Sequence, residues 1–305
     1  MDKKTNFDII IPIVYKDYSF LSKSLIYILS NIDGARKILF ITKKSMQKYL
    51  PSQVFSSDRF LVVDEDDVLE GLTYSKISSI IHSQKREHTN IGWYFQQFLK
   101  MAFALSKYCE TSYYLSWDAD TIPIHNIPMF SPDGHPFFTM KTEYHEPYFI
   151  TIRKLLNLEK CNERSYISEH MLFNKNIMNE IVSKIEDSNV IGDTWYEKVL
   201  NSLVPESVST HAFSEFETYG TYCKTFYPDY YVERQLSSFR HGGLIQGRFF
   251  SKRILNSLAT DVSIVSFEIY DRPPFPWNII CEWYEKLLKK KELFLLKRVN
   301  EKSEL

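Results

Sequence analysis

The sequence predicts an α/β fold: a mixed, mostly parallel sheet flanked by helices, running on into a C-terminal region that ends in a helix. Three observations carry this. Residues 7–14 form a continuous apolar run, the mark of a strand buried on both faces of a parallel sheet. Similar runs then alternate with segments of helical periodicity. The acidic pair Asp118 and Asp120 directly follows one such run, at the strand end where ligands of parallel sheets collect.

Phe7 to Val14 opens the fold and is closed by Tyr15-Lys16-Asp17. Ser19 to Ile32 repeats Leu21, Leu25, Ile28 and Leu29 at helical spacing, and Asp33-Gly34 stops it before a second strand, Lys37 to Thr42. A third strand, Arg59 to Val63, runs into four consecutive acidic residues. Trp93, Phe95, Phe98, Met101, Ala102 and Leu105 predict a helix over 91–108. Ser112 to Trp117 is the next strand and leads into the acidic motif. Past Phe137 the pattern turns to short strands and aromatic loops, with helices expected at 170–184, 195–203 and 213–223. No repeat, low-complexity stretch or Gly/Ser linker divides the chain, so its halves are expected to pack as one body.

The 305 residues suit one large domain, 1–270, followed by an amphipathic basic tail, 271–305. Lys and Arg number 37 against 38 acidic residues, which gives no electrostatic ground for nucleic-acid binding. Aromatics reach 15%, enough to line a groove that stacks on a base or a sugar face. The four cysteines, Cys109, Cys161, Cys223 and Cys281, are scattered without zinc spacing and read as free thiols of a reducing cytoplasm. The apolar run before Lys16 is too short for a membrane span and lacks a signal-peptide layout, so export is not expected.

The chemistry concentrates in Trp117-Asp118-Ala119-Asp120. Two carboxylates two residues apart, at the exit of a buried strand, supply oxygen ligands from one short segment. Mg²⁺ or Mn²⁺ held this way takes its remaining ligands from diphosphate oxygens and water. Beside this motif stand FDIIIPIVYKD, GWYFQQFLKMAFA, SEHMLF and FSEFETYG, in order along residues 7–245. Together they resemble GT-A fold glycosyltransferases, and more narrowly bacterial surface-polysaccharide and lipopolysaccharide O-antigen transferases of the DUF6492 type.

That resemblance implies a Rossmann-like GT-A domain, with residues up to about 130 binding a nucleotide sugar and about 131–270 facing the acceptor. It implies a metal-dependent hexosyl transfer, UDP-linked and inverting by preference, onto a surface glycan or lipid-linked glycan. Pro12, Val14 and Tyr15 would flank the base with Asp17 near it, and Gln96 and Lys100, on one helical face, would turn to the donor. Asp118, Ala119 and Asp120 would hold the phosphates and metal, Asp120 directly and Asp118 there or at the ribose. Glu215 or Glu217 would be the base that takes the acceptor proton, although Ser214 and Glu217 also have capping-box spacing. Glu169 and His170, at an expected helix start, would bind acceptor. His241, beside two glycines that permit close approach, would be a third metal ligand or a diphosphate contact.

The aromatic and basic tail from Trp277 to Arg298 suits either an anionic membrane surface or a helix docked on its own domain. The expected place is the cytoplasm, peripheral to the inner membrane. Two other functions fit a metal-bound carboxylate pair. A nucleotidyltransferase would want a Gly-rich phosphate loop after the first strand, which the chain lacks. In a non-catalytic glycan-binding module the carboxylates would only form a turn.

Overall fold

The computed structural model describes residues 6–84, 90–160, 163–203 and 211–303, with backbone alone from 296 onward. Cys161 and the side chains of Lys297 and Arg298 lie outside the described residues. A five-stranded sheet forms the centre. It is built from β1 (Phe7–Pro12), β2 (Ala35–Thr42), β3 (Phe60–Asp64), β4 (Tyr113–Trp117) and β7 (His170–Asn174), in the order β3-β2-β1-β4-β7. All neighbours run parallel except β7, which pairs antiparallel to β4 with Trp117 opposite His170.

Alternation along β1 splits the core. Ile9 and Ile11 pack with Phe40, Leu115, Trp117 and Leu172 beneath α1 (Tyr18–Asn31). Ile10 faces the other way, onto α2 (Tyr74–Ser83), α3 (Ile91–Ala102), α4 (Glu146–Leu156), α5 (Lys175–Glu186), α6 (Trp195–Ser202) and α7 (Glu215–Phe226). A strand apolar on both faces is what this two-sided burial requires. Side chains from both expected halves share the second core, as in the ring contact of Tyr114 with Phe173.

Two expectations are corrected. Residues 170–174 are strand, not the start of a helix: Met171, Leu172 and Phe173 complete the ladder on β4. The helix begins only after Asn174, whose side chain accepts from the Asn176 and Ile177 amides. The helix expected over 91–108 ends at Ala102 and tightens into a 3₁₀ turn over Phe103–Leu105. Among the helices that escaped sequence reading are α2, capped by Thr73, and α4, which has a proline in its first turn.

Small elements fix the rim. β5 (Thr121–Pro123) pairs with β10 (Ile264–Ser266), which also pairs with β9 (Ser238–Phe239). β6 (Phe137–Thr139) pairs with β8 (Val232–Arg234). Short helices α8 (Gly243–Gln246) and α9 (Lys252–Leu258) precede the long terminal α10 (Trp277–Ser303). That helix folds back on the body: Tyr284 bonds Ser19, and Cys281 and Leu295 are buried. No described helix is long and apolar enough to cross a membrane.

Candidate active site

The carboxyl end of β4 is the centre of the site. Past Trp117 the chain does not stay extended: the Thr121 amide donates back to the Asp118 carbonyl at 3.1 Å, making a turn. The Asp118 amide donates to the Glu169 carbonyl at 3.1 Å, and the Phe267 amide donates to the Asp120 carbonyl at 2.9 Å. β10 therefore delivers Glu268 beside Asp120. The hydroxyls of Thr121 and Ser266, 2.8 Å apart, lock this pairing.

Electrostatics show how tightly acids converge here. Burial first, and then the charges of Glu268, Asp118 and Asp17, push the Asp120 carboxyl up to about 8, with Arg248 opposing. Glu268 is likewise raised by burial and by Asp118 and Asp271, against Arg240. Like charges this close favour a proton or a cation between them. Half-buried carboxylate oxygens fit a hard divalent cation such as Mg²⁺ or Mn²⁺ whose other ligands come from a substrate. Among the described residues no three acidic, His or Cys side chains are already gathered as a metal cage.

The expected third ligand, His241, has another partner. Its Nδ1 lies 3.0 Å from Asp271 Oδ1, and its backbone bridges Phe267. The two glycines after it are closely packed. A Cβ on Gly242 would come within 2.5 Å of Val265, and one on Gly243 within 2.7 Å of Asp271.

Lys100 is buried, not turned outward with Gln96. Its ammonium sits 3.0 Å from Asp118 Oδ1 and 2.9 Å from Glu215 Oε1. Burial pulls its pKa down, but the two carboxylates outweigh burial and keep it charged. Gln97, with its amide nitrogen turned toward Glu215, donates to the same carboxylate. Glu215 is thus closed in at 2% exposure, its pKa raised by burial and lowered again by Lys100. Glu217 is equally closed, accepting from the Ser165 hydroxyl and the Tyr166 amide. Both expected bases are therefore buried and held by protein partners. Ser214 does cap α7, accepting from the Glu217 amide, but the Glu217 carboxylate braces the 165–166 loop instead of completing a capping box.

Glu169 and His170 lie at the mouth of β7. Glu169 accepts from Ser238 at 2.9 Å and pairs with Lys141 at 3.4 Å. His170 is buried, with its ring stacked on Trp117 and Nε2 3.2 Å from the Thr139 hydroxyl. Burial, then Arg234 and Lys141, hold it well below the usual imidazole value, so it is neutral. At the end of β1, Pro12 and Tyr15 are buried, Tyr15 edge-on to Tyr18 and Tyr49, while Val14 is exposed. Asp17 pairs with Arg248 at 2.7 Å.

Arg248 and Glu268 were not anticipated. Arg248 lies over the Phe20 ring, and its Nε and Nη2 have no partner among the described residues. It borders a cavity of about 120 Å³, with Phe20, Glu268, Asp271 and Tyr284 also in its wall. No local pattern around Arg248 signals this. Glu268 did carry one, since Val265-Ser266-Phe267-Glu268 repeats the grammar of Leu115-Ser116-Trp117-Asp118, an apolar strand running into a carboxylate.

Residues 10–234 match DUF6492, a family of unknown function. The chain belongs to that family. The match spans both Asp118/Asp120 and the Lys100–Glu215 pair, so the DUF6492 region includes most of the site, while Glu268 and Arg248 lie beyond it. No curated protein matches the chain. Among solved structures, mouse xyloside xylosyltransferase 1 in its apo form aligns at 10% identity and a TM-score of 0.42, over 89% of this chain and 100% of that one. The galactosyltransferase LgtC, in complex with donor and acceptor sugar analogues, aligns at 10% and 0.42, over 93% and 96%. Both likenesses are remote.

Proposed function

We propose that this chain is a metal-dependent glycosyltransferase that takes a hexosyl group from a nucleotide sugar, UDP-linked by preference, to a bacterial surface glycan. The observation that carries the reading is the placement of Asp118 and Asp120 at the carboxyl end of a mostly parallel sheet, where the Phe267 amide bonded to the Asp120 carbonyl brings Glu268 alongside and the charge of Arg248 is felt. Neighbouring carboxylates at a strand end, next to an arginine with free donors, suit a metal–diphosphate.

A bound Mn²⁺ or Mg²⁺ would act as Lewis acid toward the leaving diphosphate. Asp120 and Glu268 are the residues to hold it. Lys100 would not touch substrate; it fixes one Asp118 oxygen and is itself fixed by Glu215, a positioning relay. Arg248 would donate its unpaired N–H groups to phosphate oxygens as negative charge develops. Glu215 or Glu217 would take the acceptor proton only if its present partner gave way; the exposed Glu143 is a second candidate. It pairs with Arg240, which also feels the charges of Glu169 and Glu268.

The test is a panel of UDP-, GDP- and dTDP-sugars incubated with Mn²⁺, read as release of nucleoside diphosphate. One donor should be hydrolysed slowly, and Asp120→Asn should abolish it. Pyrophosphate release from a nucleoside triphosphate would favour a nucleotidyltransferase instead. Unchanged sugar binding by Asp120→Asn without turnover would favour a glycan-binding module.

A further inference from the structure

The tail of the chain has two apolar faces, and one of them packs on the body. At about 100° per residue, Cys281, Leu288 and Leu295, with the half-buried Tyr284, share the face of α10 that packs on the body. About a quarter turn away, within an arc of about 60°, lie Ile280, Trp283 and Leu287, exposed by 39%, 64% and 43%. Ile279, 57% exposed, borders this stripe. Residues 286–291 add four lysines and no carboxylate. Lys290 and Lys291 border the stripe on its two sides, Lys286 follows beyond Lys290, and Lys289 lies about 120° from it. Glu285, paired with Arg272, and the half-buried Glu292 turn toward the body, while Glu282 sits on the flank.

We propose that this outer stripe of α10 is a binding face for an anionic lipid surface, with the helix lying in the plane of the interface. A row of aliphatic side chains around a tryptophan inserts shallowly, and lysine stems let their ammonium groups reach the headgroups on either side. Charge complementarity selects this occupant. The chain as a whole carries a net charge of −1, so four lysines in six residues, three of them on the stripe's side of the helix, are a local feature that meets anionic headgroups. A second copy would bring like charges together across a two-fold interface. Because the inner face is anchored by its own contacts, the outer face is presented without α10 leaving the domain.

The experiment uses the full chain with extruded vesicles of phosphatidylcholine, alone or mixed with phosphatidylglycerol, and reads co-sedimentation. Binding is expected to the mixed vesicles only, to weaken as salt rises, and to blue-shift tryptophan emission in a way that Trp283→Phe removes. Trp283→Ser/Leu287→Ser, and separately Lys286→Glu/Lys290→Glu/Lys291→Glu, should each lower vesicle affinity at least tenfold, with thermal melts and donor hydrolysis unchanged. These side chains are exposed, so the fold does not depend on them, and vesicle binding is read whether or not sugar nucleotides are turned over. Equal binding by wild type and both variants, or no binding to anionic vesicles, would overturn the proposal. So would a dimer of the wild-type chain that the Trp283→Ser/Leu287→Ser variant dissolves, which would assign the stripe to self-association.

Discussion

Burial and neighbouring acids raise the Asp120 carboxyl from its ordinary value near 3.8 to about 8. A folded value above the unfolded one means the native state binds the extra proton, so stability falls as pH rises between about 4 and 8 and the full penalty is present above 8. Asp120→Asn removes the ionisation. In metal-free buffer its melting temperature should exceed that of wild type by a margin that widens across this pH window. A margin independent of pH would show that the site is not electrostatically crowded.

Lys100 makes the complementary argument. Its ammonium holds two carboxylates, and Lys100→Met would leave Glu215 charged and enclosed, a loss of about 3–5 kcal/mol. Lys100→Met/Glu215→Leu should recover part of that stability in urea denaturation, yet stay inactive because Asp118 is no longer oriented. Full additivity of the two changes would mean that the pair is not coupled. The sequence placed Asp118, Asp120 and Lys100 near one another but not the direction of Lys100. Side-chain direction depended on Glu215, 115 positions later and across the core, which no local spacing encodes.

At the scale of elements, the α7 segment shows what a motif is for. Ser214 caps, Glu215 reaches Lys100, and Glu217 braces the Ser165–Tyr166 loop. Gly220 then admits the Tyr166 ring, because a Cβ there would lie 2.2 Å from its Cγ. Gly220→Ala should cost about 1–3 kcal/mol through overpacking, read by denaturant titration, and should reduce activity by shifting α7 and with it Glu215. A neutral effect on both would show that Tyr166 moves freely. The parallel strands were legible because burial on both faces leaves an unbroken apolar run. β7 was not, because Met171-Leu172-Phe173 is too short a run to separate strand from helix. Its state was decided by pairing with β4, and that moved Glu169 and His170 from a helix start to a strand mouth.

Across the whole molecule, the terminal helix joins two regions that the sequence treated as separate. α10 packs beside the Tyr15–Asp17 turn and borders the cavity at Arg248, so the tail forms part of the wall behind the site. Cys281 reports on this docking, since it is buried against Gly247, where a Cβ would meet its sulfur. Burial and Glu285 raise its thiol pKa, which slows it further. In the native chain it should react with a thiol reagent far more slowly than in urea, and Leu288→Asp should speed that reaction by loosening the helix. A rate equal to that of the unfolded chain would mean that the tail is undocked. The sequence left docking and membrane contact as rivals for this segment. Once one face is seen packed, helical phase leaves another for the proposed lipid contact, and neither is legible in the sequence alone.

The account turns on a cation joining Asp120 and Glu268 to a nucleoside diphosphate, and calorimetric titration of UDP with and without Mn²⁺ tests this most directly. UDP should bind the wild-type chain much more tightly with Mn²⁺ than in EDTA, with that gain lost in Asp120→Asn and reduced in Glu268→Gln. UDP binding that is indifferent to Mn²⁺, or a gain that both variants retain, would contradict it.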